Sequence, residues 1–502
     1  MLPLLSKMCA FFVSNIDLTT FLVFTVVFLF VLCVISTPRS DIPGPFALPF
    51  FGNLYVLARI GNRRYRETLR LQKQYGDIFR LYIGKQMMVT ICGYENIHDA
   101  FVKHAAVLSN RPEGLFKSQT KYGNLEPGII LSNGEVWRKN RRFTIQTMRD
   151  FGMGKKSLEV VIAEEAKLLC ADIAAFNGKP IENIKDLLSV SVSNTVHSVV
   201  FGYRCEHDDE EFLAVIKSIE TLFKVPSIFY RVLPVFVQRL IGTAEGEREK
   251  ASENLMNYVQ KRIAEHEQTF DKNNLRDLVD RFLSTIPLEE DTMKKFLHMY
   301  QVVLEMFAAG TDTTATTLTW MILYILENPE IQEKCYQEIK KVVGLNRCIL
   351  YSDRNNLPYL EATMLELQRC ANIASSFMHY STEDVPIGGY VIPKNTMVTA
   401  FLPSVHLDPE RFPEPMKTRP ERFLDEKSGK VVNRDMLMPF SIGPRICPGE
   451  TLAKTEMFII FGNLVQKFKL CKISPDHVLS FEGLTGTITY PEPYRLRAEA
   501  RN

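Results

Sequence analysis

The chain has 502 residues, about three times a typical domain, which favours two or three domains or one unusually large one. Its 46% hydrophobic and 24% charged residues exclude a disordered or low-complexity chain. Lys+Arg 60 against Asp+Glu 58 leave a net charge of +2, with no global attraction for nucleic acid. The 10 cysteines are scattered without a CxxC pair, which argues against a disulfide framework or a structural zinc site and for a reducing compartment.

The first predicted element is LTTFLVFTVVFLFVLCVI, Leu18 to Ile35, which carries no charge. At about 1.5 Å per residue such a helix approaches the roughly 30 Å hydrocarbon thickness of a bilayer, so it reads as a membrane anchor. A cleaved signal peptide is the main competitor. Against it, the run is longer than an ordinary signal-peptide core and no small-x-small cleavage site follows. Arg39, Arg59, Arg63, Arg64, Arg66 and Arg70 come after the run, whereas only Lys7, offset by Asp17, comes before it. That asymmetry places the body of the protein on the cytosolic side. The Pro-Gly-Pro of IPGPFALPFFGNL (42–54) removes backbone donors and forbids helix, giving a stiff connector. The expected division is a lumenal tip and anchor over 1–37, a hinge over 38–54 and one catalytic body over 55–502.

Helical periodicity dominates that body, at 62–75, 95–104, 135–149, 155–174, 185–200, 208–223, 246–266, 274–284, 291–326, 328–343, 358–371 and 450–467. Short extended pieces fall at 79–84, 87–92, 390–392, 397–400 and 485–490. The fold class expected is mainly α with small β-sheets. No second linker interrupts it, which favours a single large domain. The apolar segment 222–237 suits a membrane-dipping loop and a buried core equally well.

The strongest chemical signal is Phe440-Ser-Ile-Gly443-Pro-Arg445-Ile-Cys447-Pro-Gly449, directly ahead of the helix beginning near Glu450. Loop N–H groups and the helix N-terminus offer partial positive charge to a thiolate at Cys447. The glycines let backbone approach a large flat ligand, and Arg445 can meet an acidic group on it. At average residue usage F-x-x-G-x-R-x-C-x-G occurs by chance on the order of 10⁻⁴ times in such a chain. The pattern resembles the haem-binding loop of cytochromes P450.

Three further motifs carry the resemblance. Ala308-Ala309-Gly310-Thr311-Asp312-Thr313-Thr314 places poor helix formers inside a long helix, a defect of up to about 1 kcal/mol for the glycine. It resembles the P450 oxygen-binding kink, with Ala309 and Gly310 leaving room over iron and Asp312 and Thr313 relaying protons to dioxygen. Glu366 and Arg369, at i and i+3, share a helix face. By resemblance they form a buried structural network with Arg422 of Pro420-Glu421-Arg422-Phe423. Trp137 and Arg141, at i and i+4, suit a carboxylate at the edge of an apolar ring system. By resemblance they bind the haem propionates together with Arg111, His379 and Arg445. Arg138, Lys139 and Arg142 are either a solvated face or a docking patch for an acidic electron donor.

The resemblance covers essentially the whole chain and is closest to the animal microsomal family 2 group. Three positions depart from its pattern: Thr418 stands for a usual Phe, Met378 for a common Pro, and Asp312 for Glu. The resemblance implies a cytochrome P450 fold behind one transmembrane helix. It implies haem b with Cys447 as axial thiolate ligand to iron. The activity implied is insertion of one oxygen atom from O2 into a lipophilic xenobiotic, fatty acid or steroid. NADPH–cytochrome P450 reductase would supply the electrons, with cytochrome b5 as a second candidate donor. The location implied is the endoplasmic reticulum membrane, single-pass, in contact with lipid and facing the cytosol, with no nucleic acid partner. An isomerase or dehydratase of peroxides and a non-catalytic haem sensor are the competing readings. A requirement for NADPH and reductase separates the first from both.

Overall fold

The computed structural model describes residues 17–36, 40–48, 51–60, 64–112, 119–120, 123–124, 128–154, 156–224, 243–285 and 292–501. Helix α1 (Leu18–Ser36) is apolar, with no charge in its terminal turns. Its described side chains lie between Thr19 and Val31, about 20 Å of helix. Among the described residues no helix is long and apolar enough to cross a membrane. Most of the 222–237 segment lies outside the described residues.

The body contains α2 (Leu54–Ile60), α3 (Arg64–Tyr75), α4 (Gly134–Asp150), α5 (Lys156–Ala174), α6 (Ile184–Phe201), α7 (Glu210–Lys224), α8 (Thr243–Thr269), α9 (Leu278–Thr285), α10 (Thr292–Glu327), α11 (Pro329–Val342), α12 (Pro358–Ala371) and α13 (Glu450–Lys467). The ends follow local chemistry. Pro329 and Pro358 occupy first helical turns, where a missing N–H costs nothing. Gly202 ends α6 in the left-handed conformation that a Cβ disfavours. The expected mainly helical domain is what forms, with boundaries displaced by a few residues.

Helix α10 is the spine. It packs most extensively against α6 and also touches α7, α8, α12 and α13. One core cluster joins α10 to α5, α11, α12 and α13; a second joins it to α6, α7, α8 and α9. Burial on nearly every side explains why α10 is apolar or Thr-rich all round rather than along one stripe.

The main sheet takes strands from distant parts of the chain. β1 (Ile78–Ile83) and β2 (Gln86–Ile91) form a hairpin, and β2 runs parallel to the later strand Met397–Phe401, with Thr90 opposite Thr399. That strand pairs antiparallel with β3 (Ser376–Tyr380), which the sequence pattern did not reveal. β4 (Val385–Ile387) and β5 (Tyr390–Ile392) form a separate hairpin, so Met397–Phe401 is β6. β7 (Phe468–Lys472) pairs with the C-terminal strand Leu496–Ala500. The expected strand 485–490 is instead a tight hairpin of β8 (Leu484–Thr485) and β9 (Thr489–Tyr490), leaving β10 for Leu496–Ala500. The tip of this hairpin docks on the end of α7, where Thr487 N–H donates to the Phe223 carbonyl at 2.7 Å.

Candidate active site

The loop before α13 holds Cys447 by backbone bonds: its N–H donates to the Phe440 carbonyl at 3.0 Å, and Ile446 N–H donates to Gly443 at 3.0 Å. Gly443 has φ +76°, and a Cβ there would stand 2.0 Å from the Phe101 carbonyl oxygen, so only glycine fits. Burial pushes the Cys447 thiol up, while the Gly449 N–H and Arg141 pull it down. The net direction is upward. The expected thiolate-favouring field is present but outweighed by burial, so metal ligation would have to complete deprotonation.

Cys447 faces a cavity of about 610 Å³ that also touches Phe440, Gly449, Ala309, Gly310 and Thr313. Arg111, Trp137, Arg141 and Arg445 line it as well. The Arg445 guanidinium lies 4.1 Å from the Trp137 ring centroid and donates to the carbonyls of Ser109 (2.8 Å), Ile129 (3.2 Å) and Ser132 (2.6 Å). Arg111 donates to the carbonyls of Ile130 and Met378, and Arg141 to that of Ile446 at 2.5 Å. Burial, then Arg111 and Arg141, pull Arg445 down to about 9; burial pulls Arg111 down to about 10. Three guanidiniums gathered in a buried place strongly favour bound anions. The Trp137 indole Nε1 is buried and has no hydrogen-bond partner among the described residues. A planar apolar ligand with carboxylates at its edge fits this donor set. The residues present are therefore compatible with haem.

The His379 imidazole lies in the field of Arg111 and Arg445. It is not on the cavity wall, although Ser376, Phe377 and Met378 just before it in β3 are. Its Nδ1 is 2.7 Å from the Leu108 carbonyl, and its ring packs on Phe101 at 4.5 Å. Burial, then Arg111, hold its pKa far down, leaving a neutral imidazole. Gly443 also lies outside the cavity wall and shapes the loop from behind.

On the opposite wall α10 runs as one helix from Thr292 to Glu327. A Cβ on Gly310 would stand 2.9 Å from Val196 Cγ2 on α6. Close packing of two helices thus accounts for the glycine. Thr313 Oγ1 donates to the Ala309 carbonyl at 2.8 Å. Asp312, one residue and about 100° away, is absent from the cavity wall. It accepts from Lys185 Nζ at 2.7 Å and from the Tyr490 hydroxyl, and Lys185 also pairs with Glu220 at 3.2 Å. Asp312 is thus part of an ion-pair network joining α6, α7, α10 and the β8–β9 hairpin.

Glu366, Arg369 and Arg422 meet behind the cavity. Arg369 donates to both Glu366 oxygens at 2.8 Å, and Arg422 Nε donates to Oε1 at 3.1 Å. Glu366 and Arg369 are fully buried. Sequence reasoning missed the link from this network to the cysteine loop. The His406 carbonyl accepts from Arg369 Nη1, while its Nε2 accepts from Met438 N–H at 3.1 Å, two residues before Phe440. It also missed Lys185, whose signal was a lone cation in the apolar helix IKDLLSVSVSNTV, and Glu456. Burial pushes the Glu456 carboxyl well up, and its Oε1 has no hydrogen-bond partner.

A profile of the cytochrome P450 family matches residues 42–498. Among similar proteins, Cytochrome P450 2B4 of Oryctolagus cuniculus is 35% identical over 468 residues, covering 91% of this chain and 94% of its own. Cytochrome P450 2B19 of Mus musculus is 34% identical over 467 residues, with the same coverage. Cytochrome P450 2C23 of Rattus norvegicus is 34% identical over 464 residues, covering 90% and 92%. Together with a cysteine loop facing a large buried cavity, these similarities establish that the chain belongs to the cytochrome P450 family of haem monooxygenases.

Proposed function

We propose that the protein is a haem-thiolate enzyme that inserts one oxygen atom from O2 into a small lipophilic substrate. The observation that carries this reading is the opposition of Cys447 and Thr313 across one cavity, with a buried, partnerless indole N–H and three arginines on its wall. Bound there, haem b supplies the oxidising chemistry, with the thiolate donating electron density to iron. Cys447 would ligate the iron through its thiolate, in a loop held by the Phe440 and Gly443 backbone bonds. Arg111, Trp137, Arg141 and Arg445 hold the carboxylates of the ring. Phe440 and Gly449, on the same cavity wall, would pack against the ring.

Thr313 holds a proton at Oγ1 within reach of the cavity, and Asp312 recharges it when its pair with Lys185 opens. The mostly apolar wall excludes bulk water and selects lipophilic ligands. Glu366, Arg369 and Arg422 keep the segment ahead of the cysteine loop in place through His406. The exposed residues Arg138, Lys139 and Arg142 form the docking face for an acidic flavoprotein, NADPH–cytochrome P450 reductase, with cytochrome b5 as an alternative donor. Residues 1–37 anchor the chain in the endoplasmic reticulum membrane, supported by the apolar run of α1 and the arginines that follow it. The hinge 38–54 then presents the single catalytic domain 55–502 to the cytosol.

One observation favours a second reading: with Asp312 outside the cavity, rearrangement of a peroxide substrate needs fewer of the residues present. The absorption spectrum of the reduced, carbon-monoxide-bound protein, with Cys447→Ser as control, tests the thiolate. Product formation that depends on NADPH, reductase and O2 supports the monooxygenase. Turnover of a peroxide without them selects the alternative.

A further inference from the structure

The wall of the Cys447 cavity extends well beyond Trp137 and the arginines. It runs on into the packing between α2–α3 and the main sheet, where Leu57, Leu81, Ile83, Met88, Met378 and Phe401 belong both to the wall and to one hydrophobic cluster. Protein interiors seldom leave space larger than a water molecule, so a wall that enters such a cluster marks a crevice. Its floor is one row across four strands: Phe79 opposite Thr90, Thr90 opposite Thr399, and Thr399 opposite Met378. All four residues line the cavity. Neighbouring strands stand about 4.8 Å apart, which sets the two threonines side by side. Thr399 is 7% exposed, and its Oγ1 is buried with no hydrogen-bond partner among the described residues. A buried hydroxyl is costly unless some group meets it. Among the described residues, α2, α3, β1, β2 and β6 give the wall no charged side chain. The group that completes this site is therefore neutral and able both to donate and to accept, as an alcohol is. Met378, the departure from the common proline, puts an unbranched, adaptable thioether at the end of the row.

We propose that the crevice between α2–α3 and the main sheet binds the methylene tail of unbranched lipid substrates, and that Thr399, beside Thr90, hydrogen-bonds a hydroxyl carried on that tail. The inference rests on the monooxygenase reading and sharpens it by naming a substrate class, neutral hydroxylated chain lipids. A space bounded by helices on one side and a row of strands on the other admits a chain more readily than a fused ring system. The remainder of the molecule would extend past Phe377 towards Thr313, along the same wall.

A competing role for Thr399 is that of a strand former whose hydroxyl holds only an ordered water. Equilibrium partitioning into the full-length holoprotein separates the two roles, with 1-octanol, its isostere nonane and the compact ligand toluene as probes. Thr399→Val keeps the shape of the floor and removes the hydroxyl. The proposal expects it to bind 1-octanol about fivefold or more weakly than wild type, while nonane binds at least as tightly. Thr399→Leu fills the crevice, so nonane should weaken by about fivefold or more while toluene binds as before. Unchanged binding of 1-octanol by the valine variant leaves Thr399 with its water and overturns the proposal. So does a leucine variant that binds nonane as wild type does, or that loses nonane and toluene equally. The isosteric valine variant decides even if the leucine variant fails to fold. The reduced carbon-monoxide spectrum, taken on the same samples, keeps the two levels apart. A wild type lacking the thiolate-haem band overturns the monooxygenase reading, whereas one with the band and no response to Thr399→Val overturns only the crevice assignment.

Discussion

Lys185 Nζ, on α6, donates to Asp312 Oδ1, on α10, at 2.7 Å, and both side chains are almost completely removed from water, with 9% and 3% of their surfaces exposed. An ion pair so buried contributes little net stability against an apolar replacement, yet it is costly to break from one side. Lys185→Met leaves the Asp312 carboxylate buried without its cation, and we expect a loss of about 3 kcal/mol. Lys185→Met combined with Asp312→Asn removes the uncompensated charge and should recover most of that loss. Denaturant unfolding of the two variants checks this. A double variant destabilised by the sum of the Lys185→Met and Asp312→Asn single effects would show that the pair is not coupled.

The partnerless Trp137 indole separates cofactor binding from folding. Because its Nε1 has no partner among the described residues, Trp137→Phe removes a donor that a ligand would use. We expect faster haem loss to an excess of apomyoglobin, while the unfolding midpoint of the haem-free protein shifts little. The reverse pattern, unchanged haem retention with a less stable apoprotein, would make Trp137 a packing residue beneath Arg445.

His406 predicts acid sensitivity. Its Nδ1 faces Asn372 Oδ1 at 2.7 Å and its Nε2 accepts from Met438 N–H, so the neutral ring has one donor and one acceptor in use. Burial, then Arg369 and Arg411, lower its pKa from 6.5 to about 3. Between those values the unfolded chain binds a proton that the folded chain refuses, so stability rises with pH across this window. The contribution is complete above about 6.5 and lost as pH falls towards about 3. His406→Asn should flatten the dependence of the unfolding free energy on pH between 6.5 and 4. A slope identical to wild type would assign the acid sensitivity elsewhere.

What the sequence made legible follows from the range of each interaction. Helix periods and caps are local, so the helices could be placed from spacing alone. The cysteine loop was legible because Gly443, Cys447 and Gly449 are constrained within a few bonds of one another. β3 was not, because SFMHY gains its strand only by pairing with Met397–Phe401. The protein partners of His379 and Asp312 were not legible for a related reason. Residue type advertises what a side chain can bind, whereas the face of the element decides what it meets. Lys185, distant from Asp312 in sequence, captured the carboxylate that was expected in the cavity.

Gly310 allows two physical explanations that a single rescue experiment distinguishes. If the glycine exists to leave room on the cavity side of α10, a methyl group added there affects ligands and leaves helix packing alone. The geometry places that methyl 2.9 Å from Cγ2 and 3.1 Å from Cγ1 of Val196, a stiff β-branched side chain that is 2% exposed. Gly310→Ala must therefore push α10 away from α6 at their closest approach, for a loss of about 1–3 kcal/mol despite the better helix propensity of alanine. Val196→Ala removes both offending methyls, and in the Gly310→Ala background it should restore stability rather than lower it further. Additive destabilisation of the two substitutions would place the constraint on the cavity side instead. Non-additive rescue, measured as a double-mutant cycle in denaturant, would assign the glycine to the contact between the two helices.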